Sequence, residues 1–199
     1  MARDRAARPE ARPLRLFVAV DVPEAVKAGL AKAAAPFRDR IPGARWTRTD
    51  GWHVTLKFLG STWPRLLDEV GLAVASAAEA TEAFESSLTE IGVFPSLRRA
   101  RVVWAGLADP GDRFAGLVNR LDDLLAEHFV PEKRAFTPHL TLARLNPPRD
   151  VQEFAEGLVG MPIASEPFLV DRLVLYRSHL SPRGATYEPL VSRALGLNR

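Results

Sequence analysis

Cysteine is absent from the 199 residues of this sequence. Disulfide bonds, thiolate nucleophiles and metal centres with cysteine ligands are therefore excluded. Long apolar runs are absent as well, because the stretch from residue 14 to 20 is far shorter than the about 18 residues that a membrane-spanning helix needs. We therefore expect no membrane partner and predict a cytoplasmic location.

The N-terminus does not resemble a targeting signal. Residues 1–13 are rich in arginine, alanine and proline, but they include Asp4 and Glu10, contain no serine and lack a separate apolar segment. We interpret them as a disordered tail and residues 14–199 as one bilobal domain, because 47% apolar residues suffice for one substantial core. The net charge of +3 favours an anionic partner such as a nucleotide or an RNA end.

Hydrophobic periodicity predicts an α+β fold with mostly antiparallel sheet. Asp21 is expected to cap the first helix, and two prolines, at positions 147 and 148, are expected to end the strand that begins at His139. The pattern predicts helices over residues 23–36, 66–77, 111–128 and 151–159, a loop over residues 130–138, and strands over residues 14–20, 84–94, 101–107, 168–178 and 187–192, around Trp46, and from residues 53 and 139 onward.

One short pattern, His-x-Thr-Leu, occurs twice. The first copy contains His53 and Thr55, and the second contains His139 and Thr141. Each copy predicts a strand, in which residues two apart point to the same face, so each histidine should share a face with its threonine. Because the two histidines lie 86 residues apart, we expect one motif in each half of a duplicated architecture, with both facing one cleft.

Two His/Thr pairs suit the chemistry of a phosphodiester. The ordinary pKa of imidazole is about 6.5, so near neutral pH one histidine can act as general acid and the other as general base. Each threonine adds a hydroxyl donor for the non-bridging oxygens of a phosphate. Neither motif offers a nearby carboxylate or a second histidine at ligand spacing, so we predict no metal ion and no cofactor.

Several neighbouring residues are candidates for substrate contacts. Strand parity places Lys57 on the face of the first motif, where its charge would offset that of a phosphate, whereas Arg144 reaches the cleft only if its strand bends. Phe17 and Tyr187 are candidates for stacking on a base. Three tryptophans are further candidates for stacking, although most of these aromatic residues are expected in the core: Trp46, Trp52 and Trp104. The basic cluster of Arg98, Arg99 and Arg101 is interpreted as a solvated loop, with contact to an RNA backbone as the alternative. His128 is interpreted as structural, and His179 matches neither motif and is left unassigned.

The two motifs and their flanks at residues 52–60 and 138–144 resemble those of the two-histidine (2H) phosphoesterases. The similarity is closest to the bacterial and archaeal 2′-5′ RNA ligase branch, also called RNA 2′,3′-cyclic phosphodiesterases. Residues 15–23 resemble the opening strand of that family, residues 94–106 its central strand, and residues 175–187 its terminal hairpin. The resemblance covers about residues 14–192.

This resemblance implies two lobes of mostly antiparallel sheet with outer helices around a V-shaped cleft, related by a pseudo-two-fold duplication. It also implies metal-independent opening of an RNA 2′,3′-cyclic phosphate to a 2′-phosphomonoester, and some members of the family join RNA ends through a 2′-5′ bond in the reverse direction. By resemblance, His53 is the acid that protonates the leaving 3′-oxygen and His139 is the base that activates water. The strand argument itself does not distinguish these roles.

Two other functions remain open from the residues alone. The same side chains would serve a phosphodiesterase for small cyclic nucleotides or 2′-5′ oligonucleotides, and the cleft would also suit a nucleotide- or RNA-binding module without turnover. The intact motifs favour an enzyme. We expect a monomer whose partners are RNA ends with a 2′,3′-cyclic phosphate or related nucleotides.

Overall fold

The computed structural model describes residues 12–182 and 184–196, so the predicted tail lies almost entirely outside the described residues. Ten strands and three α-helices are present in the described part. In chain order they are β1 Leu14–Asp21, α1 Glu24–Ala34, β2 Ala44–Trp46, β3 His53–Thr62, α2 Leu67–Glu79, β4 Phe84–Ser86, β5 Leu88–Phe94, β6 Ala100–Leu107, α3 Arg113–Leu124, β7 His139–Arg149, β8 Phe168–Val170, β9 Arg172–Ser181 and β10 Gly184–Ala194.

Antiparallel pairing joins eight of these strands in one sheet, in the order β10-β9-β1-β3-β7-β6-β5, with β2 also paired to β7. The sheet has two halves. Within the described residues, β3 and β7 pair only through Val54 and Leu140, whereas each forms an extended ladder with its neighbour in its own half. The predicted α+β fold of two antiparallel lobes is confirmed, and in the described residues this single pair joins β3 to β7.

Helices α2 and α3 cover one face of the sheet. Helix α2 packs against β9, β10 and α3, and α3 packs against β3. In α3, Phe114, Leu117 and Leu121 recur at helical spacing and are fully buried, so this amphipathic helix closes the core beneath β3. The opposite face of the sheet is left open for the cleft. No helix in the described ranges is long and apolar enough to cross a bilayer.

Three predicted elements differ in the structure. Residues 151–159 form successive turns and not a helix, because Gly157 and Gly160 adopt φ angles of 73° and 77°, which lie outside the helical region. The predicted strands over residues 84–94 and 168–178 are each divided in two, at Ser87 and at Asp171. Their short first parts, β4 and β8, pair with each other as a separate two-stranded sheet.

Strand β7 also continues past the two prolines to Arg149, so the prediction that they end it is wrong. The ladder between β7 and β6 skips from Arg144 to Arg149, so both prolines lie where no pairing with β6 is made. A residue without an N–H group is tolerated in such a gap. The predicted loop over residues 130–138 is confirmed, and it leads directly to His139.

Candidate active site

The same β-bulge occurs in both motif strands. On β3 the register with β1 skips Leu56, and on β7 the register with β6 skips Leu142. Each skipped leucine directly follows the motif threonine. In both halves, the three residues from the motif histidine to the motif threonine are paired with the neighbouring strand, and pairing resumes at the residue after the leucine. The duplication predicted from the two motifs therefore extends to the details of strand pairing.

Each bulge reverses the alternation of the side chains that follow it. Two consecutive buried residues mark the reversal in each strand. Phe58 and Arg144, each five residues after a motif histidine, therefore point to the side of the histidines, and both line the cleft. Arg144 reaches the cleft only if its strand bends, and the bulge at Leu142 supplies this bend.

Lys57 is turned away from the cleft by the bulge, so its predicted position beside the phosphate is wrong. It lies on the opposite face of β3, is 6% exposed, and donates a hydrogen bond through Nζ to the carboxylate of Asp122 on α3. Strand parity failed here because it assumes a regular ladder. Lys57 fastens α3 to β3 and makes no contact with the cleft.

Thr47 supports the bulge on β7. Its hydroxyl oxygen lies 2.8 Å from the carbonyl oxygen of Thr141 and 2.9 Å from that of Leu142, so its proton is shared between them. The backbone N–H of Thr47 donates to the same Leu142 carbonyl at 2.8 Å, and the indole N–H of Trp52 donates to the Thr47 hydroxyl at 2.7 Å. Buried Trp52 thus holds Thr47 in position beside the bulge. No pattern in the sequence indicates this role of Thr47.

The cleft encloses about 450 Å³ and is lined by both halves of the sheet. His53, Thr55 and Thr141 line it, and His139 stands on the same side of β7 as Thr141 but is not part of the lining. Because β3 and β7 run antiparallel at Val54 and Leu140, His53 falls opposite Thr141, and Thr55 falls opposite His139. The two histidines are therefore placed diagonally, with a threonine beside each.

Both histidines are held by the same hydrogen bond. Nδ1 of His53 lies 2.8 Å from the carbonyl oxygen of Gly51, and Nδ1 of His139 lies 2.8 Å from that of Thr137. A carbonyl oxygen can only accept, so Nδ1 carries the proton in each ring. The Nε2 atom of each histidine is left to exchange a proton with a bound molecule.

Aromatic rings fix the orientation of His53. Phe17 stacks on it with ring centroids 4.7 Å apart, and Tyr187 meets it edge-on at 4.9 Å. Phe17 is only 3% exposed, so it supports the histidine and offers little surface to a substrate. Tyr187 is half-buried and lines the cleft, so it remains available for the predicted substrate contact.

Two aromatic rings of the second lobe hold His139 in a similar way. Phe94 meets it edge-on with centroids 5.2 Å apart, and Trp104 lies at 6.4 Å. The indole of Trp46 donates to the Arg38 carbonyl and lies outside the cleft lining. The aromatic residues of the two lobes thus serve mainly as walls for the catalytic candidates.

The remaining histidines lie outside the cleft lining. His128 is 3.1 Å from a carboxylate oxygen of Glu69, and His179 is 2.8 Å from one of Glu188. Among the described residues, Glu69, Glu127 and His128 are close enough together to ligate a metal ion, but they belong to the outer helical layer. The arginine cluster at the start of β6 is not part of the cleft lining. Arg98 of this cluster donates a hydrogen bond to the side chain of Gln152.

Burial lowers the pKa of both motif histidines. It lowers the pKa of His53 from 6.5 to about 4 and that of His139 in the same direction. The hydrogen bonds to Gly51 and Thr137 oppose this shift, whereas the positive charge of Arg144 adds to it. An anion bound between the rings would stabilise the imidazolium form and raise both pKa values again.

The residue that is paired with the motif histidine differs between the two halves. Asp21 is paired with His53 on β1, whereas Gly106 is paired with His139 on β6. Tyr176 donates to the Asp21 carboxylate at 2.7 Å, and burial together with this bond raises the pKa of Tyr176. Asp21 does not cap α1, whose N-cap position is Pro23, so that prediction is wrong. Its negative charge instead favours the protonated form of His53.

These shifts predict an acidic optimum for catalysis. The pH profile of kcat/KM reports the pKa values of the free protein, and an acid–base pair is most active between them. Because both pKa values lie below 6.5, the maximum of kcat/KM should fall between about pH 4 and 6.5. Asp21→Asn should move it to lower pH, because the carboxylate that raises the pKa of His53 is removed. A maximum above pH 7 for the unmodified protein would contradict this.

Two half-sheets that share one cleft and carry one His-x-Thr motif each define a two-histidine phosphoesterase. A sequence model of the 2′-5′ RNA ligase superfamily matches residues 30–182, and the chain belongs to this family. The resemblance inferred from the motifs is thereby confirmed.

Two relatives are named RNA 2′,3′-cyclic phosphodiesterase. The protein from Methanothermobacter thermautotrophicus is 32% identical over 177 residues, covering 87% of this chain and 95% of the relative. The protein from Thermus thermophilus is 34% identical over 186 residues, covering 89% and 88%.

Solved structures have the same fold. TT0787 of Thermus thermophilus matches with a TM-score of 0.78 at 28% identity, covering 94% of this chain and 100% of that one. E. coli LigT complexed with 3′-AMP matches with a TM-score of 0.75 at 28% identity, covering 92% and 98%.

Proposed function

We propose that this protein hydrolyses RNA 2′,3′-cyclic phosphate ends to 2′-phosphomonoesters. The observation that carries the proposal is the pair of histidines whose Nδ1 protons are held by backbone carbonyls, each beside the threonine of the opposite motif. Relatives named RNA 2′,3′-cyclic phosphodiesterase, and a LigT structure that contains 3′-AMP, support a nucleotide phosphate as the group bound there.

In this mechanism the threonines bind the phosphate and the histidines move protons. The hydroxyls of Thr55 and Thr141 donate to the non-bridging oxygens, and the guanidinium of Arg144 offsets their charge. Nε2 of His139 accepts a proton from water as the water oxygen attacks phosphorus. The bond from phosphorus to the 3′-oxygen breaks, and Nε2 of His53 gives that oxygen its proton. A 2′-phosphate and a free 3′-hydroxyl result.

The acid role of His53 is supported by Asp21, which has no counterpart beside His139. Substitution of an RNA 5′-hydroxyl for the attacking water would form a 2′-5′ bond by the same proton transfers, which agrees with the name of the superfamily. The monomeric state, the independence from metal and the cytoplasmic location stay predictions. An RNA substrate agrees with that location.

The test is turnover of cytidine 2′,3′-cyclic phosphate by protein that has been stripped of metal with EDTA. We expect full activity and cytidine 2′-phosphate as the product. The threonine hydroxyls and the guanidinium of Arg144 stabilise the negative charge of the phosphate, and the imidazoles transfer the protons, so no metal ion is needed. Cytidine 3′,5′-cyclic phosphate serves as the comparison and should not be turned over.

Three outcomes would contradict the proposal. Preference for the 3′,5′-cyclic nucleotide would favour a phosphodiesterase of small cyclic nucleotides. Binding of the 2′,3′-cyclic nucleotide without turnover would favour a silent binding module. Activity that returns only with Mg²⁺ or Mn²⁺ would contradict the metal-independent mechanism.

A further inference from the structure

Two large apolar side chains are exposed inside the cleft. Phe58 is 64% exposed and Leu180 is 69% exposed, and both line the same cavity as His53 and Thr141. Neither contributes to the core. Exposed apolar side chains that cluster at a cleft, in contrast to single ones scattered over a surface, are typical of binding sites.

Phe58 is in the cleft because of the bulge at Leu56. The equivalent bulge in the other half delivers Arg144 to the corresponding register position. At two equivalent positions of the duplicated fold, the first half therefore has the phenyl ring of Phe58 and the second half has the guanidinium of Arg144. The guanidinium suits a phosphate, and the exposed ring suits the flat face of a nucleobase.

The position of Phe58 along β3 separates it from the phosphate site. It lies three residues beyond Thr55, which corresponds to about 10 Å along a strand. Tyr187 lines the same cleft, and its ring centroid lies 4.9 Å from that of His53. A group bound on Phe58 is therefore farther from the motif residues than a group bound on Tyr187.

A positive charge accompanies this outer part of the cleft. Arg15 lines the cavity, is exposed, and pairs in the sheet with Ser61, three residues beyond Phe58. Arg15 makes no ion pair with any residue in the described ranges. Aromatic rings interleaved with cationic side chains are typical of grooves that bind single-stranded nucleic acid.

The chemistry of the substrate determines what can reach this region. An RNA end that is closed as a 2′,3′-cyclic phosphate has one remaining connection to the chain, the 5′-oxygen of its terminal ribose. Any further nucleotide of the same strand that lies along the cleft is therefore the preceding one, with its own base and a backbone phosphate.

We propose that Phe58, Leu180 and Arg15 form a subsite for the nucleotide immediately 5′ of the cyclic-phosphate end. The base stacks on Phe58, Leu180 adds apolar surface farther along the same cleft, and Arg15 binds the backbone phosphate. The inference rests on the function proposed above and extends it: the protein selects oligoribonucleotide ends over mononucleotides.

The experiment compares kcat/KM for cytidine 2′,3′-cyclic phosphate with that for the dinucleotide UpC bearing the same cyclic end. The unmodified protein should prefer the dinucleotide, and Phe58→Ala should lower the ratio of the two values about tenfold, the usual effect of losing one base–aromatic stack. Trp63→Ala is the matched control, because Trp63 is 45% exposed just beyond β3 but does not line the cleft. Its ratio should not change.

A second arm tests the charge. In Arg15→Gln the dependence of log(kcat/KM) for the dinucleotide on log salt concentration should flatten by about 0.7, the value for one contact with a single-stranded phosphate. Arg65→Gln, an exposed arginine outside the cleft lining, should leave the slope unchanged.

Any one of four results would overturn the subsite. An unchanged ratio in Phe58→Ala would exclude stacking on this ring. An equal loss on both substrates would place Phe58 at the terminal nucleotide. An unmodified protein that hydrolyses the mononucleotide but shows no preference for the dinucleotide would leave the proposed function intact and remove the subsite. If neither substrate is hydrolysed, the proposed function fails, and the subsite fails with it.

Discussion

We expect His53→Ala and His139→Ala each to lower kcat/KM for a 2′,3′-cyclic phosphate by about 10²–10⁴-fold, the usual contribution of one positioned proton donor or acceptor. Both losses follow from the loss of Nε2, the one ring nitrogen that the backbone does not bind. His128→Ala is the matched control, because its ring pairs with Glu69 outside the cleft lining. That variant should retain full activity in the same steady-state assay.

Both active-site variants should remain folded. Both histidines are half-buried, His53 lines the cleft and His139 stands on the cleft side of β7, so their removal opens little space in the core. Thermal unfolding followed by circular dichroism would measure this directly. A His139→Ala protein that fails to fold would indicate a structural role and would contradict the assignment to catalysis.

Lys57→Met should destabilise the protein by about 3–5 kcal/mol, because it leaves the Asp122 carboxylate buried without its partner. The free energy of unfolding in urea is the appropriate measurement. Arg48→Met breaks an ion pair with Asp50 in which both side chains are exposed, so the free energy of unfolding should change far less than in Lys57→Met.

The double variant Lys57→Met with Asp122→Leu should recover much of that loss, because it removes both charges and fills the space with apolar atoms. If Lys57→Met kept its stability but bound the cyclic phosphate more weakly, Lys57 would be a phosphate ligand after all. The contact with α3 would then not be its main role.

The motif strands and the sharing of one face by each His/Thr pair could be predicted because strand alternation is a local property with a period of two. The bulges could not, because Leu56 and Leu142 are ordinary strand residues and the extra position exists only relative to the neighbouring strand. One bulge placed Lys57 on the opposite face from the predicted one, and the other brought Arg144 into the cleft.

Asp21 illustrates a second limit. As a sequence position between a strand and a helix, it has the properties of an N-cap. Its pairing with His53 depends on the register of β1 and β3, and its bond with Tyr176 joins residues 155 positions apart. Contacts of this kind arise from the assembled sheet, so no local pattern indicates them.

The division of roles between the two histidines is the central claim about mechanism, and a change of leaving group tests it. In 3′-deoxyadenosine 2′-(4-nitrophenyl phosphate), nitrophenolate replaces the 3′-oxygen and departs without needing a proton. Loss of the acid should therefore matter little with this substrate, whereas loss of the base should matter as much as before.

The measurement is the release of nitrophenolate by His53→Ala and His139→Ala, each relative to the unmodified protein. We predict that His53→Ala recovers most of its activity with this substrate and that His139→Ala does not. Recovery by His139→Ala in place of His53→Ala would reverse the two roles, and recovery by neither would contradict an acid at His53.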